Sequence, residues 1–225
     1  MSSVAASAIM LTLKVASVAT LAVFVPAMLL GYYFARRDTT TSKLVSTVVT
    51  LPMVLPPTAV GYLLLRLFAA DGPLGSHVLG VPIDVLLTWR AAVIAAAVMA
   101  LPLVVRTAKV AFEGVDPRLE VMSRTLGYSR IETFFSTTVP LAGRGLLAAA
   151  ILGFTRAVGE FGATVTVAGN IPFKTQTLAS AIFSAQQVGQ EGEAYVLISV
   201  ALLLGFAAIY VTELLASHPA ALTRS

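Results

Sequence analysis

The chain has 225 residues, 57% of them apolar and only 12% charged, against about 45–50% and about 25% in a soluble globular domain; too few polar side chains exist to coat a water-exposed sphere, which argues against a soluble enzyme. Fifteen Lys and Arg against 11 Asp and Glu leave a net charge of +4 spread along the whole chain, without the dense basic stripe that nucleic acid requires. With no cysteine and two histidines, His77 and His218, disulfide frameworks, thiolate metal sites and Cys/His nucleophile pairs cannot be built.

A hydrocarbon core of about 30 Å takes about 20 apolar residues at about 1.5 Å each, so charge-free runs mark the candidate spans. Val15 to Ala35 is the first; it exceeds the apolar stretch of a signal peptide and is expected to remain as an uncleaved span. Leu44 to Leu65 is the second, and Pro52, Pro56 and Pro57 predict that its middle is not a straight helix. Carbonyls freed there need partners, so the stretch faces protein or a water-filled path, or is a kink that aids packing. The third run, Ala91 to Val105, is short, but snorkelling arginines extend it to about Arg90–Phe112.

Between Phe112 and Pro140 the chain turns polar and carries two sets of helix punctuation. Asp116 is placed to cap a first short helix, Pro117 fits its first position, and Gly127 can stop it in a left-handed conformation. Ser129 and Glu132 form a capping box for a second. Glu120, Arg124 and Arg118 are expected on a polar face of the first helix, with Leu119, Met122 and Leu126 on an apolar one. The loop, 113–139, is either a docking device or a connection resting on headgroups.

Pro140 to Thr166 is a fifth candidate span in which Arg156 and Glu160, four apart, are predicted to pair on one helical face. Charges there cost roughly 2.5–3.5 kcal/mol on insertion scales, so the pair marks a transport pathway or a structural contact at the outer boundary. Gly153, Gly159 and Gly162 permit close helix packing. Phe173 to Gln187 is too short to span and reads as an outer amphipathic helix or a re-entrant segment. Ala194 to Thr212 is the last span.

The expected fold is all-α: a polytopic membrane bundle of about five helices, a cytoplasmic helix pair and an outer amphipathic helix, forming one unit over 1–225. Arg36, Arg37, Lys43, Arg106, Lys109, Arg118, Arg124, Arg130, Arg144 and Arg224 then all fall on one side. The positive-inside rule makes that side cytoplasmic, with the N-terminus outside and the C-terminus inside. No internal repeat is visible, which argues against an inverted-repeat secondary transporter. Trp89, Tyr32 and Tyr33 read as interfacial anchors, and the two histidines as solvated bystanders.

The run from Glu120 to Gly127, followed after twelve residues by Pro140, resembles the loop signature of the membrane subunits of binding-protein-dependent ABC importers, with Val121 and Met122 in place of the usual small pair. Leu51 to Tyr62, Arg90 to Ala95 and Arg156 to Thr164 resemble the permease subunits of molybdate importers, and Asn170 to Lys174 resembles a stretch shared with sulfate importers. The resemblance implies a permease subunit of the prokaryotic inner membrane, two copies of which form the pathway for a tetrahedral oxyanion. Molybdate is the first expectation, and sulfate or tungstate the alternative. Because the chain has no G-x-x-x-x-G-K-[ST] loop, ATP and Mg would be bound by two separate ATPase subunits, and the ion would be delivered by an external binding protein. The permease itself is then no enzyme and holds no catalytic residue, metal or cofactor. Asp116, Glu120, Arg124 and Gly127 are implied in ATPase coupling. Pro52, Pro56, Pro57, Arg156, Glu160 and Gly162 are the candidates for the pathway.

Overall fold

The computed structural model describes residues 2–75, 77 and 85–216, and among these the regular structure is helical throughout. Asp84, His218 and Arg224 lie outside the described residues. The helices are α1 (Ser3–Arg36), α2 (Thr40–Val54), α3 (Pro57–Phe68), α4 (Trp89–Glu113), α5 (Pro117–Thr125), α6 (Arg130–Thr133), α7 (Val139–Val158), α8 (Gly162–Ala168), α9 (Leu178–Gln187) and α10 (Glu191–Ala216). Four stretches, α1, α4, Arg130–Val158 and α10, are long and apolar enough to cross a membrane, and α2 with α3 makes a fifth if the bent pair is one span.

Helix α4 is central because its side chains are small. Ala92, Ala95, Ala96, Ala100 and Ala108 are all fully buried, and so many bare methyl groups let α1, α7 and α8 approach its backbone. Val15, Ala16 and Ala19 of α1 cluster with Ala91 to Met99, whereas Met28 clusters with Ala108 and Phe112; α1 and α4 therefore run parallel. Ala142 and Leu146 pack at the Phe112 end and Ala157 at the Ala91 end, so α7 runs the other way. Helix α10 starts beside the N-terminal end of α1, where Leu197 meets Ala5 and Ala8. Only 6% of its apolar window is buried, against 61% for α4, which puts α10 at the periphery.

The structure bears out the break in the second run and the outer helix, and alters two other expectations. The second run begins at Thr40 and is broken between Val54 and Pro57 by a bend of 110°; Pro52 is accommodated inside α2, Pro56 caps α3, and Pro57 opens it, where a missing amide costs nothing. The second short helix of the polar loop is not separate: after its capping box it passes through a π-helical turn, Phe134–Thr138, straight into α7. The Pro140–Thr166 span stops at Val158, and Gly162 opens α8 instead of extending α7, because Gly159 to Phe161 leave the helical path. The segment after Phe173 forms α9, capped by Thr177, and it is amphipathic as expected: Leu178 and Ala181 are buried against α1 and α10, while Phe183, Gln186 and Gln187 are exposed.

Candidate functional site

At the end of the bundle where α1 finishes, α5 forms as its punctuation requires. Asp116 Oδ1 accepts from the Arg118 amide at 2.9 Å, Pro117 takes the first position, and Gly127 ends the turn at φ +97°. Arg118 and Arg124 are exposed as expected, but the burial of the other residues is reversed. Glu120 is the buried residue of the helix, while Leu119, Val121, Met122 and Leu126 are exposed. The reason is a set of partners that no local pattern reveals. Arg36 donates to Glu120 Oε1 through Nε at 3.1 Å and Nη2 at 2.7 Å, and Thr138 Oγ1 donates to the same oxygen at 3.0 Å. Arg36 Nη2 also donates to the Val115 carbonyl, and Tyr32 O–H reaches Oε2 at 3.4 Å. A carboxylate so satisfied can be buried, and α5 is thereby clamped to α1 and to the π-helical turn. Below it Tyr32, Phe112 and Phe134 meet edge-on or tilted at 4.8–6.1 Å, so Tyr32 belongs to a packed aromatic cluster.

Arg124 stands on the last turn of α5, exposed, with Nε donating to the Glu120 carbonyl at 3.3 Å. The structure therefore gathers Asp116, Glu120, Arg124 and Gly127 on one short helix and its stop. Its exposed apolar side chains point away from the bundle.

At the opposite end a second group assembles around two breaks. Arg156 Nη1 bonds Glu160 Oε2 at 2.7 Å, with the guanidinium side chain 32% exposed and the carboxylate 2%. Glu160 lies beyond the end of α7, and its other oxygen accepts from the Ala163 amide at 2.9 Å, capping α8. The i,i+4 pair forms as expected, but across a helix end and not along a face. Helix α8 then crosses α3 closely: a Cβ on Gly162 would stand 2.8 Å from Pro57 Cβ, and one on Gly61 would stand 2.7 Å from Thr166 Cβ. So Pro57, Gly162 and the Arg156–Glu160 pair share one junction, where Pro56 and Pro57 are exposed. Pro52 sits about a turn earlier, inside α2.

Sequence reasoning missed Arg36, Tyr32 and Thr138 as partners of Glu120. Arg36 stood out only as one of the positive charges, and nothing in the spacing connects it with a residue 84 positions away.

A family model described as "Binding-protein-dependent transport system inner membrane component" matches residues 27–218. The chain belongs to this family. Among relatives of this inner membrane component, the molybdenum transport system permease protein ModB of Azotobacter vinelandii is 36% identical over 205 residues, 91% of each chain. ModB of Escherichia coli (strain K12) is 44% identical over 130 residues; the chain spans 57% of the length of that relative. A bacterial ABC transporter involved in the import of the acidic polysaccharide alginate has a chain with the same fold, at a TM-score of 0.74 and 14% identity over all of this chain and 82% of the other. The architecture of this inner membrane component is thus that of an ABC importer permease.

Proposed function

We propose that the chain is the permease subunit of an ATP-driven importer of a tetrahedral oxyanion, molybdate first, with two copies enclosing the pathway. The observation that carries this reading is α5: a short helix held rigidly through buried Glu120 while its apolar side chains face outward. Such a helix is built to enter a cleft on another protein and to pass that protein's movement into the bundle through Arg36 and Thr138. Separate ATPase subunits would bind ATP and Mg and draw the two α5 helices together, and hydrolysis would release them. On this reading the chain is the moving part of the assembly, and the hydrolysis belongs to the ATPase subunits.

The substrate reading is supported by the 36% identity to a molybdenum permease over nine-tenths of both chains. The pathway reading rests on the junction of α3 and α8. A chain break facing lipid is costly, and the exposed Pro56 and Pro57 are therefore covered by a second copy or line an aqueous route. Half-exposed Arg156 offers positive potential there, and buried Glu160 keeps it weak enough to release a dianion. The end carrying Arg36, Arg37, Lys43, Arg118, Arg124 and Arg130 is cytoplasmic by its charge, which sets the N-terminus outside, where an external binding protein would deliver the ion.

The test is reconstitution of the chain with its ATPase and binding protein in vesicles, following labelled molybdate and sulfate. ATP-dependent molybdate uptake that excess sulfate does not suppress is the expected result. Uptake without nucleotide would overturn the ATP-driven reading, and preferential sulfate uptake would reassign the ion.

A further inference from the structure

Beside the Arg36–Glu120 clamp lies a cavity of about 600 Å³ with walls of two kinds. Leu29, Ile131 and Phe135 form an exposed apolar side. Arg37, Arg124 and Arg130 form a cationic side, and none of the three has a carboxylate partner among the described residues. The acid in the wall, Glu120, is already neutralised by Arg36. The cavity therefore carries an uncompensated positive charge next to bare hydrocarbon.

Its depth sorts the two sides. Leu29 lies two turns before the end of α1 and Arg37 just past it, a separation of about 12 Å at about 1.5 Å per residue. That is enough to run from acyl-chain depth through the headgroup layer, about 5–8 Å thick on each face. A free anion would use the arginines and leave the apolar wall bare. A soluble protein would reach the arginines but not Leu29. A molecule with a phosphate at one end and hydrocarbon at the other matches both.

We infer that this cavity is a binding site for one anionic phospholipid, with its phosphate on Arg37, Arg124 and Arg130 and an acyl chain along Leu29, Ile131 and Phe135. Arginine forks suit a phosphate diester. Because Arg124 also holds the Glu120 carbonyl, a bound lipid braces α5 from the membrane side. This rests on the chain spanning a bilayer and not on which ion it carries.

The test is native mass spectrometry of the detergent-purified transporter, alone and with its ATPase, after equilibration with phosphatidylglycerol, phosphatidylcholine or inorganic phosphate. Retention of phosphatidylglycerol over phosphatidylcholine is expected, with a loss of about tenfold or more in Arg37→Gln/Arg130→Gln. The same charge change at the other end, Arg66→Gln/Lys174→Gln, should leave retention unchanged. Leu29→Trp, which fills the apolar side and keeps every charge, should reduce retention of long-chain phosphatidylglycerol. Equal retention in Arg37→Gln/Arg130→Gln would overturn the site. Displacement of the lipid by inorganic phosphate would make it a free-anion site. Retention by the permease alone but loss when the ATPase binds would assign the cavity to that partner's footprint.

Discussion

Arg36 at the end of α1 and Glu120 on α5 are joined by two hydrogen bonds to one carboxylate oxygen, with side-chain exposures of 17% and 11%. The pair fixes α5 to the first helix of the chain, so a pull on α5 is a pull on α1. Breaking it from either side leaves a largely buried charge without its partner. Glu120→Ala and Arg36→Ala should each lower stability by about 3–5 kcal/mol, and the double variant should lose clearly less than the sum. Thermal unfolding in detergent reads this directly, and strictly additive losses would show that the contact contributes nothing.

Gly127 separates backbone strain from crowding. Its φ is +97°, and a Cβ there would meet nothing within 4 Å. Gly127→Val should therefore act through the backbone alone, costing roughly 1–2 kcal/mol locally and misdirecting the exit of α5. Insertion in the membrane should persist while ATPase stimulation by the loaded binding protein falls. Full stimulation in this variant would remove the left-handed stop from the coupling reading.

Gly162 poses the opposite case, because its backbone is helical and its surroundings are full. Gly162→Ala places a methyl 2.8 Å from Pro57 Cβ, closer than packing tolerates. Overpacking of this kind typically costs about 1–3 kcal/mol, and it should push α8 from α3 at the junction where the pathway is proposed. Reduced uptake with a lowered unfolding temperature is expected. Unchanged values of both would mean that the crossing is loose.

For Arg156 and Glu160, exposure decides which loss is worse. Arg156→Ala leaves a carboxylate that is 2% exposed facing no cation, although it keeps the Ala163 amide; Glu160→Ala leaves a guanidinium with access to water and also uncaps α8. Both should abolish uptake. The double variant should recover expression but not transport. Parental uptake by Arg156→Gln/Glu160→Gln would exclude either charge from transport.

The helices were legible where local chemistry decides: the caps at Asp116 and Ser129, the stop at Gly127 and the proline break all stand where residue type and spacing put them. Failures came where a distant partner decides. A helical wheel places Glu120 among the polar, water-facing positions, and only Arg36 and Thr138, brought close by α1 and the π-helical turn, make its burial affordable. Likewise Arg156 and Glu160 are four apart whether or not a helix continues between them, so the spacing found the pair but not the break at Gly159. For the outer segment the apolar spacing of Leu178, Ile182 and Ala185 found the helix and its inward face, but does not say whether lipid or α1 covers that face.

Thr12 bears on the order in which the chain is made. Its hydroxyl donates to the Ala8 carbonyl at 2.8 Å and accepts from the Leu178 amide at 2.6 Å, a partner 166 residues later. At about 5–20 residues per second, α1 waits roughly 8–30 s in the bilayer before that amide is synthesised. During the wait the back-bond within α1 keeps the hydroxyl hydrogen of Thr12 satisfied, and its acceptor lone pairs stand open. The first helix can thus enter the membrane as a self-sufficient unit and still hold a place for a segment the ribosome has yet to produce.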